Sequence, residues 1–176
     1  MHATEVQLDR LRAMKLLIVV SLFVAFGIYL IKSLNENENL PFAYTLNNIG
    51  MEYYHGRNYP EAMRYYNKAL EILPENHPSI AAISNNLALV YLDIGQTTIA
   101  RKYYEKAMLI CRLTLPHNHP YTADALNGLG NLYGDLGEFD KAKEYFLMSL
   151  EIKRKILPEN HSSIVDTLKS IENIDI

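Results

Sequence analysis

The sequence predicts an all-α array of three helical hairpins, closed by a capping helix and preceded by a single hydrophobic helix. Three observations predict it. First, the segment Tyr121–His161 matches earlier parts of the chain: Leu126-Asn127-Gly128-Leu129-Gly130 answers to Ser84-Asn85-Asn86-Leu87-Ala88 and to Leu46-Asn47-Asn48-Ile49-Gly50. Second, apolar residues in each copy recur three and four apart, the period of a helix with one buried face. Third, each copy closes on a proline-bearing linker, LPENHP at 73–78, LPHNHP at 115–120 and LPENHS at 157–162. Proline cannot continue a helix, so each linker marks the end of a unit. Units of this kind bury their core against their neighbours.

Composition bounds the function. The chain has 176 residues, 49% apolar and 21% charged, which suits a folded domain and excludes wholesale disorder. A net charge of −3 argues against nucleic acid as the partner, because phosphate binding is driven by cations. Cys111 is the only cysteine, so no disulfide forms within the chain.

In chain order, residues 1–14 are polar and of mixed charge. Residues 15–32 carry an uncharged run, Leu16 to Ile31, between Lys15 and Lys32. As a helix this run spans about 24 Å, somewhat short of a hydrocarbon core of about 30 Å. Both lysines can snorkel to the interface. We expect a single-pass transmembrane anchor, over a cleaved signal peptide or a helix buried in the domain. Gly27-Ile28-Tyr29 makes a poor cleavage site. Residues 33–42, with Asn35-Glu36-Asn37-Glu38-Asn39, read as a linker. Arg10, Arg12 and Lys15 outnumber Lys32, which favours a cytoplasmic N-terminus with the repeats across the membrane. In that topology the sequon Asn160-His161-Ser162 would be a glycosylation site.

The hairpins are expected at 43–78, 79–120 and 121–162, with the cap at 163–176. In the third, Leu126, Leu129, Tyr133 and Leu136 line the first helix, and Ala142, Tyr145, Phe146 and Leu150 the second. Gly50, Ala88 and Gly130, with Ala62, Ala100 and Ala142, mark close helix approach. Gly95 and Gly137 fall at turns, whereas the first repeat has Gly56 one place earlier, so that turn should differ. Ala62 to Ala100 is 38 residues and Ala100 to Ala142 is 42. The second and third hairpins should therefore have a longer second helix or linker, by about one turn. In the cap, Val165, Leu168 and Ile171 form an apolar face, and Glu172 stands where earlier units have a small residue.

Gly50, Tyr53, Ala62, Tyr66 and Ala69 recur as Ala88, Tyr91, Ala100, Tyr104 and Ala107, then as Gly130, Tyr133, Ala142, Phe146 and Ser149. This pattern resembles the tetratricopeptide repeat, and the 42-residue unit with its His-Pro linker resembles the kinesin light chain and nephrocystin-like branch. The resemblance covers about residues 43–174. It implies a tetratricopeptide (TPR) superhelix whose first helices line a concave groove for a peptide or protein. Kinesin light chains carry a long heptad region before the repeats; here a hydrophobic run stands in its place.

On that implied groove, Asn47, Asn85 and Asn127 recur once per repeat. Their amides could pair with an extended peptide or bond neighbouring helix ends. Tyr44, Met51, Tyr54, Leu89, Asn131 and His55 would sit beside them. Residues 43–56, 80–93 and 121–135 contain no Lys or Arg. This argues against a clamp for a chaperone's C-terminal carboxylate and for a neutral to mildly basic peptide with apolar anchors. His77, His117, His119 and His161 read as linker residues capping the helices that follow rather than as metal ligands. Lys153-Arg154-Lys155 reads as a solvated helix face, and Cys111 as a small apolar residue of a helix. No residue set suggests catalysis or a cofactor. The expected function is a non-enzymatic scaffold or adaptor at a membrane. The alternatives are a soluble cargo adaptor like kinesin light chain and a TPR portion of a larger, enzyme-bearing polypeptide.

Overall fold

Three helical hairpins and a closing helix follow one another through residues 40–174. The computed structural model describes Leu22, Phe26 and residues 40–174. Leu22 and Phe26 are helical, and the rest of the candidate anchor at 15–32 lies outside the described residues. Among the described residues, no helix is long and apolar enough to cross a membrane. From Pro41 onward the chain forms one compact unit, considered by itself below.

Its first hairpin pairs α1 (40–55) with α2 (Tyr59–Ile72), the second α3 (Ser79–Asp93) with α4 (Thr97–Thr114), and the third α5 (Pro120–Asp135) with α6 (Phe139–Ile156); α7 is Ser162–Ile174. Residues 40–42, assigned to the linker from sequence, are already helical. The second helices have 14, 18 and 18 residues, so the four extra residues of the later units lengthen the helix and not the linker.

Each hairpin turn has the same double hydrogen bond. Asn58, Gln96 and Glu138 N–H groups donate to the carbonyls of Tyr53, Tyr91 and Tyr133, at 2.8, 2.8 and 2.9 Å. Arg57, Gly95 and Gly137 N–H groups donate to Tyr54, Leu92 and Gly134, each at 2.9 Å. This is the Schellman closure, which places one residue in the left-handed region. Gly95 and Gly137 occupy it at φ of 76° and 72°. In the first hairpin the glycine is displaced to Gly56, and Arg57 takes the position at φ 56°.

Next to each turn, a tyrosine of the first helix stacks on one of the second. The pairs are Tyr53–Tyr65, Tyr91–Tyr103 and Tyr133–Tyr145, at 5.3, 5.4 and 5.4 Å between ring centres. Below them a buried ring meets a small residue. A Cβ on Gly50 would lie 2.6 Å from Tyr66, and one on Gly130 2.6 Å from Phe146. Tyr66, Tyr104 and Phe146 are all buried, as are Ala62, Ala100 and Ala142. Most of the chain's 13 tyrosines thus belong to packing.

The linkers behave as helix starts. The Nδ1 atoms of His77, His119 and His161 accept the N–H of Ser79, Tyr121 and Ser163 at 3.1, 3.1 and 3.2 Å. Each imidazole satisfies one of the unpaired donors of a helix N-terminus, as expected of a cap. Asn58 does the same for α2, accepting from Glu61 N–H. Asn160 is exposed in the last linker.

A non-glycine residue in the left-handed region costs about 1 kcal/mol. Arg57→Gly is therefore expected to raise stability by about that amount and to raise Tm by several degrees. Chemical and thermal denaturation of the variant check this. An unchanged midpoint would show that the first turn carries no such cost.

Candidate functional site

The first helices α1, α3, α5 and α7 lie side by side because each unit repeats the same hairpin. Residues at i, i+3, i+4 and i+7 share one helix face. On α1 these are Tyr44, Asn47, Asn48 and Met51; on α3, Ala82, Asn85, Asn86 and Leu89; on α5, Asp124, Asn127, Gly128 and Asn131. All twelve line one groove of about 750 Å³. The cap adds Ser162, Ser163, Asp166, Thr167 and Ser170 as a fourth wall. Tyr104, Tyr121 and Lys153 complete the lining.

Seven of the residues singled out from sequence, Tyr44, Asn47, Met51, Asn85, Leu89, Asn127 and Asn131, are brought together here. Tyr54 is not among the groove-lining residues. Its ring packs on His55 and Tyr59, and burial beside Asp93 pushes its phenol up to about 12. Tyr44 and Met51 are the open apolar surfaces, 66% and 38% exposed.

The asparagines each brace a neighbouring repeat. Asn86 Nδ2 donates to Asn47 Oδ1 at 2.9 Å, joining α3 to α1. Asn85 Nδ2 donates to the Tyr121 carbonyl at 3.3 Å, joining α3 to α5. Asn127 Oδ1 accepts from Thr167 Oγ1 at 3.0 Å, joining α5 to α7. Part of the amide capacity is left over: Asn85 is 6% exposed and its Oδ1 has no partner. Tyr104 Oη is likewise buried without a partner. Its ring edge lies where a Cβ on Gly128 would be, 2.2 Å away, so only glycine at 128 lets this side chain reach the groove floor.

The electrostatics correct the sequence reading in one respect. The first three groove helices lack Lys and Arg, but Lys153 reaches the groove from α6 and is only 5% exposed. It is not part of a solvated face. Arg154 and Lys155 are, paired at the surface with Glu159 and Glu151. The repeat register explains the difference, since Lys153 falls where the earlier units bury Leu73 and Cys111 in the core. That alignment is legible in sequence and would have separated Lys153 from its neighbours. Its ammonium donates to Thr167 Oγ1 at 2.7 Å, the Ser163 carbonyl at 3.3 Å and Asn127 Oδ1 at 3.4 Å. All three protons are thereby spent within the fold. Burial pulls its pKa down, against the pull of Asp124 and Asp166. Asp124 keeps an open side to solvent, yet the atoms crowding its carboxyl push its pKa up, opposed by Lys153 and His119. Cys111 is buried, and that burial raises its thiol, the reverse of an activated nucleophile.

Two measurements probe this arrangement. Lys153→Glu sets a carboxylate beside Asp124 and Asp166 and leaves it buried, at a cost of about 3–5 kcal/mol. We expect α7 to undock, with limited proteolysis cutting first in the 157–162 linker. Lys153→Met should resist, because Thr167 and Asn127 still bond each other. Second, burial raises the phenol of Tyr104 above its ordinary value. The unfolded chain therefore ionises first, and this contribution to stability is complete below pH about 10 and lost above it. Tyr104→Phe should flatten the alkaline loss relative to wild type in denaturation at pH 8 to 11.

Comparison with known proteins places the fold. Residues 43–76 and 79–155 each match a tetratricopeptide repeat model. Among solved structures, BtubC (BKLC) from P. vanneervenii is 21% identical with a TM-score of 0.66, over 75% of this chain and 54% of that one. A kinesin light chain-type array of nearly identical TPR-like repeats from Podospora anserina is 23% identical, TM-score 0.65, over 74% and 64%. The TPR2AB domain of yeast Sti1, in its complex with pHSP90, is 24% identical, TM-score 0.61, over 77% and 46%. The chain thus spans between about half and two thirds of the first two, and at these identities the likeness concerns the fold. No curated protein matches the chain by sequence. Two repeat models in tandem and the hairpin geometry lead to one conclusion: the chain belongs to the tetratricopeptide repeat proteins.

Proposed function

We propose that the array is a non-enzymatic recruitment module that holds an extended peptide of a protein partner in the groove of α1, α3, α5 and α7. The observation that carries this reading is the groove itself. All four first helices contribute the same face, and asparagines on it that are not fully buried, Asn47, Asn48 and Asn131, present amides to a ligand. A preformed surface of this kind spares the receptor the entropy of ordering on binding. The ligand's chemistry follows from the lining. Tyr44 and Met51 offer apolar contact at one end, while Asp124 and Asp166 lie towards the other. Lys153 has no proton left for an acidic ligand. A neutral to mildly basic peptide with an apolar anchor suits these walls, whereas an acidic chaperone tail meets no free cation on α1, α3 or α5. In the full chain, residues 15–32 would tether this module to a membrane, a reading that rests on the sequence alone.

Peptides selected from a random display library by the full-length chain test the groove. Met51→Lys with Leu89→Lys places two cations on its apolar wall: Met51 is exposed, and at 89, partly buried against the core, a lysine stem can pack while its ammonium reaches the groove. Affinity for the selected peptides is expected to fall at least tenfold, about 1.4 kcal/mol, with Tm preserved. Undiminished binding would place the ligand elsewhere.

A further inference from the structure

We propose that α7 carries an interface for a second copy of this chain. Val165, Leu168, Lys169 and Glu172 form it, and two such faces pair antiparallel about a two-fold axis.

The first observation is a column of residues that every earlier unit covers. Ala43, Leu46 and Gly50 on α1 stand in the same register as Ala81, Ser84 and Ala88 on α3 and as Ala123, Leu126 and Gly130 on α5, and all of them are buried. The second helix of the hairpin closes over this column. Tyr66 meets Gly50, Phe146 meets Gly130, and Ser149 Oγ donates to the Ala123 carbonyl at 2.7 Å. On α7 the same register holds Val165, Leu168 and Glu172. Among the described residues α7 packs on α5 and α6, and this column stays open. Val165 is 38% exposed, Glu172 is exposed and Leu168 is half-buried. Asp166, Thr167 and Ser170, which line the groove, lie on a different side of the helix.

The second observation is the chemistry of that open face. A ring-bearing second helix of the usual kind needs a small residue in the third place of the column, since even a Cβ on Gly130 would lie 2.6 Å from Phe146. Glu172 bars so close an approach and calls for a cation. Another α7 supplies one. Val165, Leu168, Lys169 and Glu172 stand at i, i+3, i+4 and i+7, so two apolar residues, a cation and an anion share one face. Lys169 and Glu172 are both exposed, and neither is in an ion pair among the described residues. A two-fold contact sets a patch against itself, so a face that carries both charges is its own complement. With the two Leu168 side chains on the axis, Lys169 of one copy and Glu172 of the other lie about 7.5 Å apart along the helices, within reach of two long side chains. Two ion pairs then flank an apolar centre. A uniformly acidic or basic partner helix answers only one of the two charges. The dimer holds two grooves in one assembly, which favours a partner with two binding segments.

The test is sedimentation of the full-length chain in a mild detergent. A monomer–dimer equilibrium with a dissociation constant in the micromolar range is expected, because the interface is small. Val165→Glu should weaken it at least tenfold, with Tm preserved because position 165 is exposed. Lys169→Glu and Glu172→Lys should each weaken it about tenfold, since each sets like charges face to face. The two together exchange the charges and should restore the dissociation constant to within about threefold of wild type. A chain that stays monomeric up to about 100 μM overturns the interface. So does a dimer indifferent to Val165→Glu, as expected of association through residues 16–31, or a double variant that dimerises no better than the single ones.

Discussion

Each hairpin depends on a large ring of the second helix seated against the first helix at a point where almost no side chain intervenes. Tyr66 sits on Gly50 and Phe146 on Gly130 so closely that a methyl group would collide with the ring. This contact sets how near the two helices lie, and the stacked tyrosines beside each turn keep the pair aligned. Dense packing leaves little freedom at such a joint. The second repeat solves the same problem differently. Its small residue is Ala88, with a methyl where the others have none, and the Tyr104 edge instead meets Gly128 of the next unit. Two coupled departures from the repeat, Ala88 and Gly128, thereby bring a phenol to the floor of the groove.

The groove is a by-product of this stacking before it is a site. Once first helices lie side by side, their i, i+3, i+4 and i+7 faces form a continuous wall, and asparagines on that wall reach the next repeat. Bracing, and the binding proposed for this wall, draw on the same row of amides. An asparagine has two donors and two acceptor sites, and the fold consumes only part of them. On Asn85 the unpaired oxygen is itself buried, so bracing the repeats leaves one polar atom unsatisfied inside the joint.

At the C-terminal end the apolar core gives way to a polar joint. Where earlier repeats bury Leu73 and Cys111, the third buries Lys153, and α7 answers with Thr167 and the Ser163 carbonyl. A buried ammonium with three acceptors is tolerated, whereas one left without them would be costly. The joint fixes α7 in the role of a fourth groove helix as well as a cap. The sequence pattern had suggested only the cap, because Glu172 and the polar neighbours of Val165 and Leu168 speak for solvent exposure and not for a groove.

Periodicity, linker prolines and the small-residue columns determined the helices, the hairpins, the one-turn lengthening of the later repeats and the caps at His77, His119 and His161, while the structure decided that the helix and not the linker takes up the extra turn. These features are local, governed by interactions within a few residues or by a repeat that can be counted. Seven of the eight residues singled out from sequence line the groove for the same reason, since a helix face is a matter of spacing. Tyr54 shares α1 with them but turns towards Tyr59 and Asp93, a difference set by the hairpin partner. Repeat register alone puts Lys153 at a core position; only the tertiary structure decided its three acceptors, the arrival of Tyr104 at the groove floor and the unpaired oxygen of Asn85. Each depends on which atoms a neighbouring repeat presents. Burial and hydrogen-bond satisfaction are properties of that meeting, and no residue carries them alone.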